Sequence, residues 1–406
     1  MKLDPIVLAV PFYFVGIGVE LWLASRLKRG LYRLDDTFNN LACGLFQQLL
    51  VLLLAVPLAA PYLWLYEHAR VTDWFAGHTA VAWAVAFVGS DFFYYWFHRW
   101  SHESAAGWFS HVVHHQSEFY NLSVALRQDA WQPLFSLWFQ LPLALLGVPP
   151  LVFATAYGVV IVYQFWIHTR LIDRIGPLEW VLNTPSHHRV HHGVDPQYLD
   201  KNYAGVFIVW DRLFGTFEPE RVAPTYGTIE PLSSFNPVWS HLAYGKKLWL
   251  KARSMPDAWS ALQALVRSPG WQPPGREVED FDALAAERLA MPTYAISVAP
   301  GARRYSVAGF VTSMALGVIP LQVPSLPLAA SAALATLSVW GLGNAAGIAE
   351  ARRWAVPSER ARLAFFVAGA VGLAFETHRL AWLAPALVPL ALAALLRDNT
   401  REPLDP

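Results

Sequence analysis

The chain of 406 residues carries a single cysteine, Cys43, and only four methionines. Charged residues make up 15%, against about 25% in an ordinary globular chain. One cysteine excludes an intrachain disulfide framework, and neither a cysteine-ligated zinc site nor an iron–sulfur cluster can be built from it. Formal net charge is zero, so no basic footprint points to nucleic acid as a partner. No glycine-rich dinucleotide fingerprint, cytochrome-b5-like haem motif, internal repeat or low-complexity tract occurs.

What is abundant is apolar: hydrophobic residues reach 55%, with nineteen tryptophans and fifteen tyrosines. Such rings collect at membrane–water interfaces. A bilayer crossing needs about 20 mostly apolar residues, and runs of that kind cover 6–24, 41–64, 79–97, 131–148, 150–167, 306–322, 328–346, 362–377 and 380–396. The first is too long for a signal core, lacks a small-residue cleavage site and is closed by Arg26-Leu27-Lys28-Arg29, which predicts a retained anchor. The fourth and fifth form a hairpin about Gly147-Val148-Pro149-Pro150, and Gln132, Pro133, Gln140 and Pro142 predict that it crosses only partway. By the positive-inside rule, Arg26, Lys28, Arg29 and Arg33 place the first loop in the cytoplasm. Alternation then puts 98–130 and 168–305 on the same side, as it does the late loop with Arg352, Arg353, Arg360 and Arg362.

Ten of the fourteen histidines lie between His98 and His192. They read His98-Arg99-Trp100-Ser101-His102, then His111-Val112-Val113-His114-His115, then His187-His188-Arg189-Val190-His191-His192, with His168 alone between. Spacings of three and four residues bring side chains onto one helical face. One histidine on an apolar face is ordinarily a packed core residue; eight at repeated helical spacing are a metal site. So many nitrogens exceed the needs of one tetrahedral zinc. Two metals are therefore expected, and imidazole suits iron, zinc, copper and nickel alike.

These boxes resemble the membrane fatty acid hydroxylase and sterol desaturase superfamily, and within it the tetrahydrobiopterin-dependent branch of alkylglycerol monooxygenases. The likeness is carried by Asp91-Phe-Phe-Tyr-Tyr-Trp-Phe-His98 through His102-Glu103, by His114-His115-Gln-Ser-Glu118 through Arg127-Gln128, and by Asn183-Thr-Pro-Ser-His187 through His192-Gly193, continuing to Asn202-Tyr203 and Trp210-Asp211. It spans roughly residues 80–220. It implies a di-iron centre held by His98, His102, His111, His114, His115, His168, His188, His191 and His192, with dioxygen as co-substrate. Glu103 is implied to pair with a tetrahydrobiopterin ring. Gln164 stands where hydroxylase relatives carry a histidine, and His187 is out of phase with its box, so both are expected beside the ligands. Asp91, seven residues before His98, is expected to accept a hydrogen bond from a ligand imidazole.

The expected fold is all-α, a polytopic membrane bundle with the di-metal site at its cytoplasmic face. The expected division is 1–78 for anchor spans, 79–235 for the catalytic domain, 236–304 for an interfacial segment and linker, and 305–406 for further spans and tail. Trp239–Arg253 interleaves aromatic and basic residues, as either an interfacial helix or one packed on the catalytic region. The resemblance implies oxidation of a membrane lipid, the ether-linked alkyl carbon of alkylglycerols foremost. A sterol, hopanoid, carotenoid or fatty acyl chain is the alternative, and a metal transporter a distant one. Electrons come from an external donor, a pterin or a ferredoxin-type or other reductase. The alanine-rich later chain points to a bacterial inner membrane.

Overall fold

In the computed structural model, residues 5–277, 280–377 and 387–399 are described. The first apolar run becomes α1 (Pro5–Arg26), with Phe12, Phe14 and Trp22 turned outward and exposed. A helix that is apolar on its outer face as well belongs in lipid. The second run does not form one span. It is broken into α2 (Leu34–Leu53) and α3 (Ala55–His68), bent by 59°. Pro57 stands in the first turn of α3 and has no N–H to give to the Leu53 carbonyl, so the helix cannot continue.

A short α4 (Trp74–Gly77) leads to α5 (Thr79–Glu103), whose 25 residues reach about 37 Å. Next come α6 (Ala105–Phe109) and α7 (Val112–His115), each little more than a turn. The hairpin forms as α8 (Gln132–Leu145) and α9 (Pro150–Tyr163), each of 14 residues. At about 21 Å apiece these cannot cross a core of about 30 Å, in accord with the partial crossing read from the sequence. The polar region contributes α10 (Pro185–His191), α11 (Val209–Phe214), α12 (Pro237–Arg253), α13 (Ala258–Val266) and α14 (Phe281–Ala290). Then follow α15 (Pro300–Gln322), α16 (Leu328–Ala349), α17 (Ala355–Thr377) and α18 (Leu387–Asn399).

Among the described residues, four helices are long and apolar enough to cross a membrane (α1, α5, α15 and α16), or five if the bent α2–α3 pair counts as one span. The eighth expected span falls inside α17, and the ninth lies partly outside the described residues. Arg360 and Arg362 also differ from expectation: they stand on α17 rather than in a loop, and Arg362 is buried against Glu359 at 2.6 Å. Among the described residues there is no strand, only two isolated bridges, Leu182 to Phe207 and Gly193 to Tyr226.

The helix that carries the first histidine box is wedged between its neighbours: α5 packs on α8 and α9, through a core that includes Ala86, Leu143, Phe153 and Tyr62 of α3. On the other side α2 packs against α15 and α16 through Leu45, Leu49, Phe310 and Leu342. Of the two readings of Trp239–Arg253, the packed helix is what the structure shows. One side of α12 packs on α2, α6, α7 and α16; the opposite side leaves Trp249 63% exposed.

Candidate metal centre

The last turns of α5 bring His98 and His102 to one face, their ring centroids 5.4 Å apart. The chain must then reverse to bring the second box back. Ser104 adopts an extended conformation and caps α6, accepting from the Gly107 amide. A Cβ at position 107 would lie 2.4 Å from the Trp100 carbonyl oxygen, so only glycine permits so tight a return. His111 precedes the single turn of α7 and His114 and His115 end it. The third box is α10, opened by Pro185 after an extended Thr184, where the missing N–H of proline costs nothing.

All nine histidines anticipated as ligands converge, sorted into two groups. His98, His102, His111, His115 and His191 form one; His114, His168, His188 and His192 form the other, and the offered nitrogens of each group lie within 4.8 Å of one another. The neighbours His114 and His115 serve different groups, as do His191 and His192, because successive residues on a helix point about 100° apart. The stacked rings of His115 and His192, 4.4 Å apart, join the two.

Backbone carbonyls fix the imidazole tautomers. His98 Nδ1 donates to the Tyr203 carbonyl at 2.7 Å, His114 Nδ1 to that of Arg127 at 2.9 Å, His168 Nδ1 to that of Gln164 at 2.7 Å and His191 Nδ1 to that of Lys201 at 3.0 Å. A carbonyl only accepts, so each of these rings keeps its proton on Nδ1 and a bare lone pair on Nε2. Yet Nε2 of His114 and Nε2 of His168 face each other at 3.2 Å. Two lone pairs cannot satisfy each other. Nε2 of His102, His115 and His191 is buried with no partner at all. Buried orphan acceptors are costly, and cations between them relieve every one. The donor set therefore fits metal ions, with outer carbonyls orienting the rings as in known metal sites.

Burial, and then the neighbouring imidazoles, push His111, His115, His188 and His192 well below the ordinary histidine pKa. Burial likewise lowers His114 to about 4. These rings stay neutral, the state in which imidazole binds metal. Aromatic rings close the site: Trp108 lies 5.0 Å from His102 and 5.3 Å from His115. Tyr120 lies 5.7 Å from His168 and is stacked on Tyr226.

The other anticipated residues fall differently. Gln164 acts through its carbonyl, which holds His168. His187 is outside both groups; its ring packs on Phe217 and its carbonyl accepts from Asn202. Glu103, 46% exposed on its side chain, pairs with Arg99 at 2.9 Å. Asp91 corrects an expectation: it accepts from no imidazole. Its two oxygens take the Val206 and Phe207 amides and the Trp210 indole N–H, at 2.6, 3.0 and 2.9 Å. The reason is burial: backbone amides reach this wholly enclosed carboxylate first. Asp211 does the same for the amides of Tyr203 and Ala204. Together the two acids tack down 203–207, the strap that presents the Tyr203 carbonyl to His98.

Sequence reasoning missed three supports. Arg127 is buried, and its guanidinium binds the Val113 carbonyl, Asn40, Gln116 and Ser240. Glu20 of α1 is buried and accepts from Tyr32, Thr169 and the Leu122 amide, joining α1 to the residue beside His168. It was findable as the one acid in an apolar helix. The Lys201 carbonyl left no signal.

The fold and site define a membrane-helical protein with a nitrogen-rich centre able to hold two metal ions. Residues 83–216 match the fatty acid hydroxylase family model. The chain is similar to the alkylglycerol monooxygenase of Danio rerio, 44% identical over 266 residues, which are 64% of this chain and 58% of that protein. The human alkylglycerol monooxygenase is 40% identical over 270 residues, 65% of this chain and 59% of that protein. The ornithine lipid hydroxylase of Rhizobium tropici is 31% identical over 169 residues, covering 41% of this chain and half of that protein. The chain thus spans about three fifths of the length of the alkylglycerol monooxygenases it matches. No solved structure matches.

Proposed function

We propose that this chain is a di-iron monooxygenase of ether lipids, hydroxylating the alkyl carbon next to the ether oxygen of alkylglycerols. The observation that carries the reading is the pair of histidine groups whose bare Nε2 lone pairs face one another. Two irons held there supply the activation of dioxygen needed to attack an unactivated C–H bond. One oxygen atom would enter the C–H bond and the other leave as water, with two electrons from an external donor and two protons. The hemiacetal so formed falls apart to a fatty aldehyde and glycerol.

The protein's own part is to hold, orient and enclose. The nine histidines are the ligands, and the carbonyls of Tyr203, Arg127, Gln164 and Lys201 keep four of their rings in the binding tautomer. Trp108, Tyr120 and Tyr226 keep bulk water from the reacting carbon. The lipid tail enters from the bilayer between α5 and α9. Glu103, one residue beyond His102 and exposed, offers its carboxylate to the ring of tetrahydrobiopterin. In this reading 79–235 is the catalytic unit, with 1–78 and 305–406 as anchoring spans and 236–304 between them at the surface. Arg26, Lys28 and Arg29 put the site on the cytoplasmic side, of the inner membrane if the source is bacterial.

The match to an ornithine lipid hydroxylase favours one second reading, in which the substrate is another membrane lipid and the donor a ferredoxin-type or other reductase. The test is aldehyde release from a 1-O-alkylglycerol by purified, iron-loaded protein under air, with and without tetrahydrobiopterin. Pterin-dependent aldehyde that is lost in His114→Ala supports the first reading. No aldehyde from protein holding two irons discards the ether lipid and leaves the second.

A further inference from the structure

A cavity of ≈ 570 Å³ opens between α12 and the carboxyl-terminal end of α16, apart from the histidines. Three indoles, Trp239, Trp340 and Trp354, line it together with Leu242. Asn344 and Ser358 line it as well. They are already bonded, Trp340 Nε1 to Ser358 Oγ at 2.8 Å and Ser358 Oγ to Asn344 Oδ1 at 2.9 Å. The volume is that of a pocket for an organic molecule, and the walls are far too apolar to be a stable pool of water.

Two features set the chemistry of an occupant. The first is position. Helix α16 is long and apolar enough to span a membrane, and tryptophans gather where such a span meets water. The cavity opens at the carboxyl-terminal end of α16, and Trp239, Leu242 and Trp354 of its lining are exposed. The second is charge. On α12 the exposed residues Trp239, Leu242, Lys246, Trp249, Leu250 and Arg253 fall at helical spacing on one face. Lys246 stands 5.7 Å over the Trp239 ring and Arg253 stands 5.9 Å over that of Trp249. Glu350 at the rim is matched by Arg352 at 2.9 Å, and among the described residues Lys246, over the Trp239 wall, has no ion pair. Apolar walls at the end of such a helix, beside a cation with no ion pair, fit an amphiphile bearing an anionic group.

We propose that this cavity is a binding site for one membrane phospholipid, its phosphate at Lys246 and its chain among Trp239, Trp340 and Leu242. It is separate from the site that takes the substrate. Its occupant braces α12, whose Ser240 receives Arg127 and Gln116 and whose His241 carbonyl receives Trp131. Of these, Arg127 holds the second histidine box through the Val113 carbonyl.

The test is the phosphorus content and native mass of protein washed extensively in a phosphorus-free detergent. The wild type is expected to retain about one phospholipid per chain. Leu242→Trp, which fills the cavity, and Lys246→Glu, which reverses the charge, are expected to lower that at least threefold. Leu328→Trp, exposed at the far end of α16, is expected to leave it unchanged. Circular dichroism and bound metal serve as controls for folding. Retention that is absent in the wild type, or equal in all four proteins, overturns the proposal. Loss in Leu328→Trp as well would mean non-specific annular lipid and overturns it too.

Discussion

Asp91 and Glu20 are buried carboxylates that reach the metal centre through other groups. Asp91 receives three N–H groups and holds the strap whose carbonyl orients His98. In Asp91→Asn the amide end would point N–H at N–H, leaving buried donors unpaired. A loss of about 2–3 kcal/mol is expected, visible as a lower midpoint of thermal unfolding together with weaker metal retention. Unchanged metal content with unchanged stability would exclude this role. Glu20 tests a different link, from α1 to Thr169, next to His168. Glu20→Gln keeps the shape but can accept through one oxygen only, so bound metal is expected to fall below two per chain. Glu20→Asp, which keeps the charge, is expected to recover part of it. Metal analysis of the three proteins distinguishes these outcomes.

Among the elements, the contact of α2 with the loop after the second histidine box leaves no room for a side chain. A Cβ on Gly44 would lie 2.2 Å from the Leu126 carbonyl oxygen, and the next carbonyl, of Arg127, holds His114. Gly44→Ala therefore pushes on backbone, which cannot swing aside as a flexible side chain does. It is expected to destabilise by about 1–3 kcal/mol and to loosen the His114 group preferentially. Metal binding would then become biphasic, with the His98 group retained, as isothermal titration of metal into the apo-protein would show. A single unchanged phase would mean that α2 does not support the site.

Across the molecule, two buried histidine groups able to hold metal, with no carboxylate in either, are expected to make stability depend on pH and on metal together. The buried histidines outside the spans have folded pKa values below the ordinary 6.5, with His114 at about 4. The unfolded chain therefore takes up protons first. The metal-free protein is expected to keep its full stability above pH 6.5 and to lose it as pH falls toward 4. Metal-loaded protein shifts that loss to lower pH, since a ligated nitrogen cannot be protonated until the metal leaves. Thermal midpoints of the two forms across this range provide the measurement. Curves that coincide would exclude a metal contribution to the fold.

The membrane character, the all-helical class and the nine histidines were all legible in the residues. Hydropathy and helical spacing are local properties, and His98 with His102 needs only one helix to be brought together. The short hairpin was legible in Pro133 and Pro142, because proline acts on its own turn; the break of the 41–64 run at Pro57 was not read. Other features depend on residues far apart in the chain. Which histidine joins which group, the buried Arg127, and the attachment of Asp91 to Val206 rather than to an imidazole are of this kind. Each is a competition between partners for one buried atom. The sequence by itself determined which histidines gather; only the tertiary structure decided who holds them, because distant carbonyls and carboxylates meet the histidines only after the helices have packed.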